Sequence, residues 1–307
     1  MKKLKLNYIT FLGFFCFSCN TNSADNVQSK KTTSTIDSSN AIPEKNNFVS
    51  HYDVKNPSSK WELPESLMEV SGNAWVDSNH LILIEDLRPN LYYLRLDEKN
   101  AVIEKTIPFT KTDKEKIDIE DVSFINDTVY ALWSHGIIFK ITDWKSTPKV
   151  EQLNTGLTKQ NNTEGLCYDP VTKELLIACK DDAGVEDEKH SAKAVYQFNI
   201  NQGKLVTPPF MIIHKKDFES ITGNKLSFNP SAIAVHPITH DIYILTTRDN
   251  KGMAIFSHDG KLKSYQNFDP QLMPQPEGIC FSPDGKLFIS SEGKKGEHGN
   301  LFRFNYN

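Results

Sequence analysis

Carboxylates recur at matched places along this chain. Glu277 stands near the start of the stretch QPEGICFSPDGKLFISSEG and Glu292 near its end. The stretch reads as a strand, a tight turn and a second strand, so both acids lie at the same end of a hairpin. Four further stretches have this form: EVSGNAWVDSNHLILIED, IEDVSFINDTVYALWSH, TEGLCYDPVTKELLIACKDD and NPSAIAVHPITHDIYILTTRD. Alignment places Ser71, Glu120, Glu164, Ser231 and Glu277 at one equivalent position. Two residues earlier stand Glu69, Asp118, Asn162, Asn229 and Gln275, each with a side-chain oxygen. Side chains two apart in a strand face the same way. Centring each turn sets Ser71 against Asp86, Asp118 against His135, Asn162 against Asp181, and Glu277 against Glu292, to within a residue or so.

The expected chemistry is that of crowded oxygens. Glu69, Asp86, Asp118, Glu120, Asp121, Glu164, Asp181, Glu277 and Glu292 would gather at one end of the repeat. Like charges beside a low-dielectric wall repel and raise one another's pKa. A hard cation relieves this, and oxygen donors without clustered His or Cys favour calcium over magnesium. Its expected ligands are Glu69, Asp118, Glu120, Glu164 and Glu277. Ser71, Asp86, Asp181, Ser231 and Glu292 would line the same mouth. The rival is a hydrated polar rim with no metal. His135, Lys180 and Arg248 fall at the ends of second strands on this acidic side. His135 could serve as a general base, and Lys180 and Arg248 could hold an anionic substrate. Equally, His135 could be a surface residue, and the two cations could pair only with Asp181 and Asp249. No nucleophile-elbow motif surrounds Ser71 or Ser231, which argues against serine hydrolysis.

The elements that position these residues are strands. Each hairpin has a first strand rich in small apolar residues and a β-branched second strand. A third follows in NLYYLRLD, GIIFKITD, AVYQFNI, MAIFSHDG and NLFRFNYN, and a fourth in VIEKTIPF, KVEQLN, LVTPPFMII and LKSYQNF. No amphipathic helix of useful length appears. An internal repeat of four-stranded units predicts an all-β propeller. The aligned positions are 49, 44, 67 and 46 residues apart, and only 31 residues run from Glu277 to the end. The last unit is therefore incomplete, and residues 48–62 are expected to supply its outermost strand. Five blades follow. The long third interval, with HKKDFESITGNK, holds either an insertion or a degenerate sixth blade.

The chain of 307 residues has a formal net charge of −4. Lys2, Lys3 and Lys5 lie in the leader, and without them the charge is −7. An acidic domain with no basic block does not suit nucleic acid. The start, MKKLKLNYITFLGFFCFSC, has a basic region and an apolar run too short to span a bilayer. It reads as an export signal. Residues 1–19 then form a lipoprotein signal with Cys19 as the lipidated cysteine, although cleavage by an ordinary signal peptidase competes. Residues 20–47, rich in Ser, Thr, Asn and Lys, read as a flexible tether, and residues 48–307 as the propeller. Beyond the leader only Cys167, Cys179 and Cys280 remain, an odd number that argues against a disulfide framework.

The segments LMEVSGNAWV, DIEDVSFI, NTEGLCYD, NPSAIAVHP and PEGICFSPDGKLFISSEG, with the NLFRF ending, resemble the SdiA-regulated family of bacterial envelope propellers. The resemblance covers roughly residues 60–305. It implies a β-propeller in the cell envelope and fixes no substrate. More remotely, the family resembles calcium-dependent propeller lactonases and phytase-like phosphoesterases. The chain departs from the pattern at Asn229, where an acid is usual before PSA. The expectation is a lipid-anchored monomer facing periplasm or cell surface, binding a divalent cation and a small or polymeric ligand at its acidic mouth. A calcium-dependent phosphoester or lactone hydrolase is one reading. A non-catalytic module for an envelope protein, a glycan or a small anionic ligand is the other, with Trp61, Trp144 and Tyr265 as contact aromatics, although Trp61 could equally pack under the closing strand.

Overall fold

A computed structural model describes residues 50–110, 117–188 and 192–307. Cys19 and the tether lie outside the described residues.

The repeat folds as five four-stranded antiparallel sheets. Blade 1 contains β2 (Val70–Asp77), β3 (His80–Glu85), β4 (Arg88–Leu96) and β5 (Ala101–Pro108). β1 (Ser59–Glu62) precedes it in the chain but belongs elsewhere. Blade 2 contains β6 (Ile119–Ile125), β7 (Thr128–Trp133), β8 (Ile137–Thr142) and β9 (Lys149–Asn154). Blade 3 contains β10 (Thr163–Asp169), β11 (Glu174–Cys179), β12 (Ala192–Asn199) and β13 (Lys204–His214). Blade 4 contains β14 (Pro230–Val235), β15 (Ile242–Thr246), β16 (Gly252–Phe256) and β17 (Leu262–Asn267). Blade 5 contains β18 (Gln275–Phe281), β19 (Leu287–Glu292) and β20 (Asn300–Phe304), with β1 as its outer strand.

Burial is deepest in the inner strands, the second above all, and shallowest in the outermost. The second strands are almost wholly buried, which is why they read as unbroken β-branched runs. The outer β9 is exposed along nearly its whole length. Apolar side chains form five cores, each shared by two neighbouring blades. One joins blade 5 to blade 1 through Phe288, Leu301, Leu83 and Tyr92, so the ring is closed.

Closure is reinforced ahead of β1. The Tyr52 hydroxyl donates to the Gly285 carbonyl and accepts from His236 Nε2 at 2.8 Å. His236 Nδ1 accepts from the Ile238 and Thr239 amides, which leaves the proton on Nε2. Burial pushes its pKa down to about 4, so the ring is neutral. Trp61, on the closing strand β1, is buried. Trp144 is buried as well, between blades 1 and 2, so neither is the contact aromatic expected of a surface site. The long third interval is an insertion and not a sixth blade. It folds into a 3₁₀ turn and the single-turn α1 (Glu219–Thr222), anchored by buried Phe218 against Phe228.

Candidate functional site

Each innermost strand carries a register shift at its start, between Val70/Gly72, Ile119/Asp121, Thr163/Gly165, Pro230/Ala232 and Pro276/Gly278. The residue skipped in each is Ser71, Glu120, Glu164, Ser231 or Glu277. The aligned position is thus the extra residue of a β-bulge, present in all five blades. A bulge leaves one residue outside the ladder and re-aims its side chain. It also displaces the expected pairings. Gln275 pairs with Glu292, Asp118 faces Ser134, Asn162 faces Lys180 and Glu69 faces Asp86. The reason is the extra residue, which a turn-centred count does not include.

The three bulge glutamates share one electrostatic neighbourhood, and its centre is Lys180. The ammonium Nζ lies 2.9 Å from Glu164 Oε2, with side chains 12% and 6% exposed. Burial acts to lower the Lys180 pKa, but Glu164, Glu277 and Glu120 outweigh it and hold the group protonated. Burial lifts Glu120 well above the ordinary carboxyl range, assisted by Glu164, Asp118 and Glu277 and opposed by Lys180. Glu277 is lifted likewise by burial, with Lys180 opposing and Glu164 and Glu292 adding. Glu164 is raised by burial and held back by Lys180. Asn162 fixes the group from one side, donating to Glu164 Oε1 at 2.9 Å and Asp181 Oδ2 at 3.0 Å.

A second acidic group adjoins the first. Glu292 is pushed up to about 8 by burial and by the charges of Glu69 and Asp86. The Gln275 amide donates to it. Glu292, Glu120 and Glu277 are thus all raised in the same direction, and the Lys180 ammonium opposes each rise.

The other expected site residues have different roles. The Ser71 hydroxyl donates to the Ile119 carbonyl at 2.6 Å, and the Ser231 hydroxyl to the Pro276 carbonyl at 2.9 Å. Each ties its blade to the residue before the next bulge glutamate, so these hydroxyls are inter-blade staples. Arg248 pairs with Asp181 at 3.0 Å on the exposed rim. His135 stacks on Trp133, with centroids 4.7 Å apart, and none of the described mouth carboxyls hydrogen-bonds it. Asn229 donates to Asp249, leaving blade 4 without a carboxyl in the ring.

Asp121 is not at the mouth. It is 1% exposed and stands where the other blades have Gly72, Gly165, Ala232 and Gly278. Its Oδ1 accepts from Val122 N and its Oδ2 from Leu166 N, both at 2.8 Å, and the Ile233 amide donates to it as well. Burial still raises its pKa well above the ordinary value. One side chain therefore bonds to backbone of blades 2, 3 and 4. A Cβ on Gly72 of blade 1 would meet Asp121 Oδ1 at 2.7 Å. Asp121 plugs the channel waist, and the small residues at its level make the room. The aligned hairpins show this acid replacing Gly or Ala, which was the available signal.

Calcium fits this arrangement poorly. The donors are hard oxygens, but an ammonium already stands against Glu164. Among the described residues no group of three or more His, Cys, Asp or Glu is placed to hold a metal ion.

A five-bladed β-propeller with one acidic channel mouth is the class that this fold and site define. The chain belongs to the SdiA-regulated family, whose sequence profile matches residues 59–295. No curated protein matches it. Among solved structures it is similar to the glutaminyl cyclase of Myxococcus xanthus, at 12% identity and TM-score 0.55, over 81% of this chain and 95% of that one. A luciferin-regenerating enzyme matches at 12% identity and TM-score 0.49, over 81% of this chain and 95% of that chain. A streptogramin B lyase matches at 11% identity and TM-score 0.47, over 80% and 97%. At these identities the likeness shows the fold alone.

Proposed function

We propose that the acidic mouth is the working site of an envelope-anchored propeller, and that it binds a ligand presenting an ammonium group among hydroxyls, as an amino sugar does. The observation that carries this is the surplus of carboxyls over cations around Lys180. A ligand cation there lowers the raised pKa of Glu120, Glu277 and Glu292 and expels protons. Its hydroxyls find both carboxylate acceptors and carboxyl donors. The envelope setting rests on the leader and Cys19, and the protein acts there as a tethered monomer.

The chemistry this set supports is proton transfer. Glu292, raised to about 8, serves as acid, and Glu164, whose rise Lys180 opposes, as base. Calcium-dependent hydrolysis of a phosphoester or lactone would first require Lys180 to leave Glu164. Binding is therefore the primary role and hydrolysis the secondary one.

The test is calorimetry of the detergent-purified chain with glucosamine, glucose and calcium in buffers of different ionisation enthalpy. Glucosamine is expected to bind with proton release, glucose more weakly and without it. Calcium is expected to leave the melting temperature unmoved. Calcium binding that Glu120→Gln and Glu164→Gln both weaken would instead establish the metal site. Binding of phosphate alone, lost in Lys180→Met, would make the mouth an anion site and overturn the proposal.

A further inference from the structure

The other end of the channel holds a cavity of about 280 Å³, lined by the innermost strands of all five blades. Counting from each bulge residue, the third position gives Ala74, Ser123, Cys167, Ala234 and Cys280. The fourth gives Trp75, Phe124, Tyr168, Val235 and Phe281. Every one of these ten residues lines the cavity. The first set is small, and a Leu at any of those places would occupy the space. The second set is half-buried and aromatic in four blades of five. Among the described residues, none that lines the cavity is charged.

Asn73 adds a polar handle. It is 1% exposed and lines the same cavity. The equivalent residues of the other blades are Val122, Leu166, Ile233 and Ile279, all apolar. Its amide nitrogen donates to Ser290 Oγ at 2.9 Å, but its Oδ1 is buried and has no hydrogen-bond partner. An orphaned buried acceptor costs stability until a donor reaches it. The two thiols do not suggest redox chemistry. Both are buried, and burial with the Asp121 charge holds them protonated.

We propose that this cavity is a second binding site, for a small planar aromatic compound carrying one hydrogen-bond donor. Uncharged walls exclude an ionic ligand, since a charge here would lose its hydration without a partner. The ring of aromatic side chains offers faces and edges to a flat molecule. The donor belongs at Asn73 Oδ1. The Asp121 plug separates this ligand from the acidic mouth, so the two sites bind independently.

The probes are 2-naphthol and naphthalene, which share a shape and differ by one hydroxyl. Binding to the full chain is read from probe fluorescence. Naphthol is expected to bind about fivefold tighter, the worth of one net hydrogen bond. Asn73→Leu is expected to erase that difference while keeping naphthalene binding. Ser123→Leu and Ala234→Leu fill the cavity from two blades, and each is expected to abolish binding of both probes while the melt stays cooperative. Lys180→Met is expected to leave both affinities unchanged. Absence of probe binding to wild type, or wild-type affinity in a folded filled variant, overturns the site. A naphthol preference that survives Asn73→Leu overturns the assigned donor contact.

Discussion

The two mouths of the channel are built by the same five strands, yet one is acidic and the other apolar. At the acidic end each strand begins with a bulge, and its extra residue is Glu in blades 2, 3 and 5 and Ser in blades 1 and 4. At the apolar end the pairing is regular in blades 2 to 5, blade 1 shifts register again between Trp75 and Asp77, and the third and fourth residues past the bulge meet the cavity. One added residue per strand thus releases one side chain from the ladder without disturbing the alternation that follows. The comparison also shows how differently the ends are stabilised. The apolar mouth leaves space unfilled and one acceptor orphaned. The acidic mouth opposes its own repulsion with Lys180, raised carboxyl pKa values and serine staples. Asp121 and the small residues around it divide the two.

The largest expected effect comes from removing the acidic mouth's own cation. Lys180→Met leaves Glu164 buried without its ammonium partner and held only by the Asn162 amide, which costs about 3–5 kcal/mol. The double variant Lys180→Met/Glu164→Met replaces the pair by apolar groups and is expected to recover most of that loss. Urea unfolding at pH 7 of the two variants and wild type measures both. A single variant as stable as wild type would mean that Lys180 does not compensate the ring. Naphthalene binding at the other mouth is expected to survive in whichever variant folds.

The waist gives the next effect. A Cβ on Gly278 would lie 2.3 Å from Ser290 Oγ and 3.0 Å from Asn73 N. Gly278→Val overpacks this level and is expected to cost about 3 kcal/mol by denaturant midpoint. It also displaces Asn73, so the naphthol preference is expected to fall while glucosamine binding is retained. Equal loss at both mouths would show that the waist does not separate them.

Much of this was legible in the residues. Turn spacing and the truncated last unit predicted the five blades and the closing strand, because two-residue alternation and a 31-residue remainder leave few other arrangements. The acidic mouth was legible as a crowd. Its internal order was not, because a bulge shifts parity by one residue and has no composition of its own. Ser71 was expected to line the mouth, and that its hydroxyl donates to the Ile119 carbonyl of the next blade was not legible. Asp121 was counted with the rim and sits in the waist. Lys180 was expected to hold substrate or to pair with Asp181, whereas its partner is Glu164, which only a three-dimensional arrangement identifies. Trp144 was expected at the surface, and Trp61 either there or packed at the closing strand, since sequence alone does not tell an exposed indole from one beneath a sheet.

A pH series distinguishes the mouths more gently. The folded pKa of Glu292 is about 8, against an ordinary value of 4.5. Between those values the folded state binds more protons than the unfolded one, so stability falls as pH rises. Burial and neighbouring charge give Glu120 and Glu277 the same sign. Wild type is expected to be most stable near the acidic end of this window and to lose stability toward pH 8. Glu292→Gln removes one titrating group and is expected to flatten the loss between pH 6 and 8 by about 2 kcal/mol. An unchanged slope in chemical melts would mean that Glu292 titrates normally. Naphthol affinity, with no charged residue in its cavity, is expected to stay constant over the same range.

The smallest effect tests whether the serines at the acidic mouth are staples or ligand contacts. Ser71 Oγ donates to the Ile119 carbonyl and Ser231 Oγ to the Pro276 carbonyl, each next to a bulge glutamate. A single neutral hydrogen bond contributes about 1 kcal/mol net. Ser71→Ala and Ser231→Ala are each expected to cost about that much. Their effects are expected to add in the double variant, because blades 1 and 4 are not adjacent in the ring. A staple acts on stability and leaves the free energy of ligand binding nearly unchanged, whereas a contact residue does the reverse. Thermal melts of the four chains, followed by glucosamine calorimetry on each, separate the two. A Ser71→Ala chain that melts with wild type but binds glucosamine several-fold more weakly would return the hydroxyl to the binding site. The acidic mouth would then extend to blade 1.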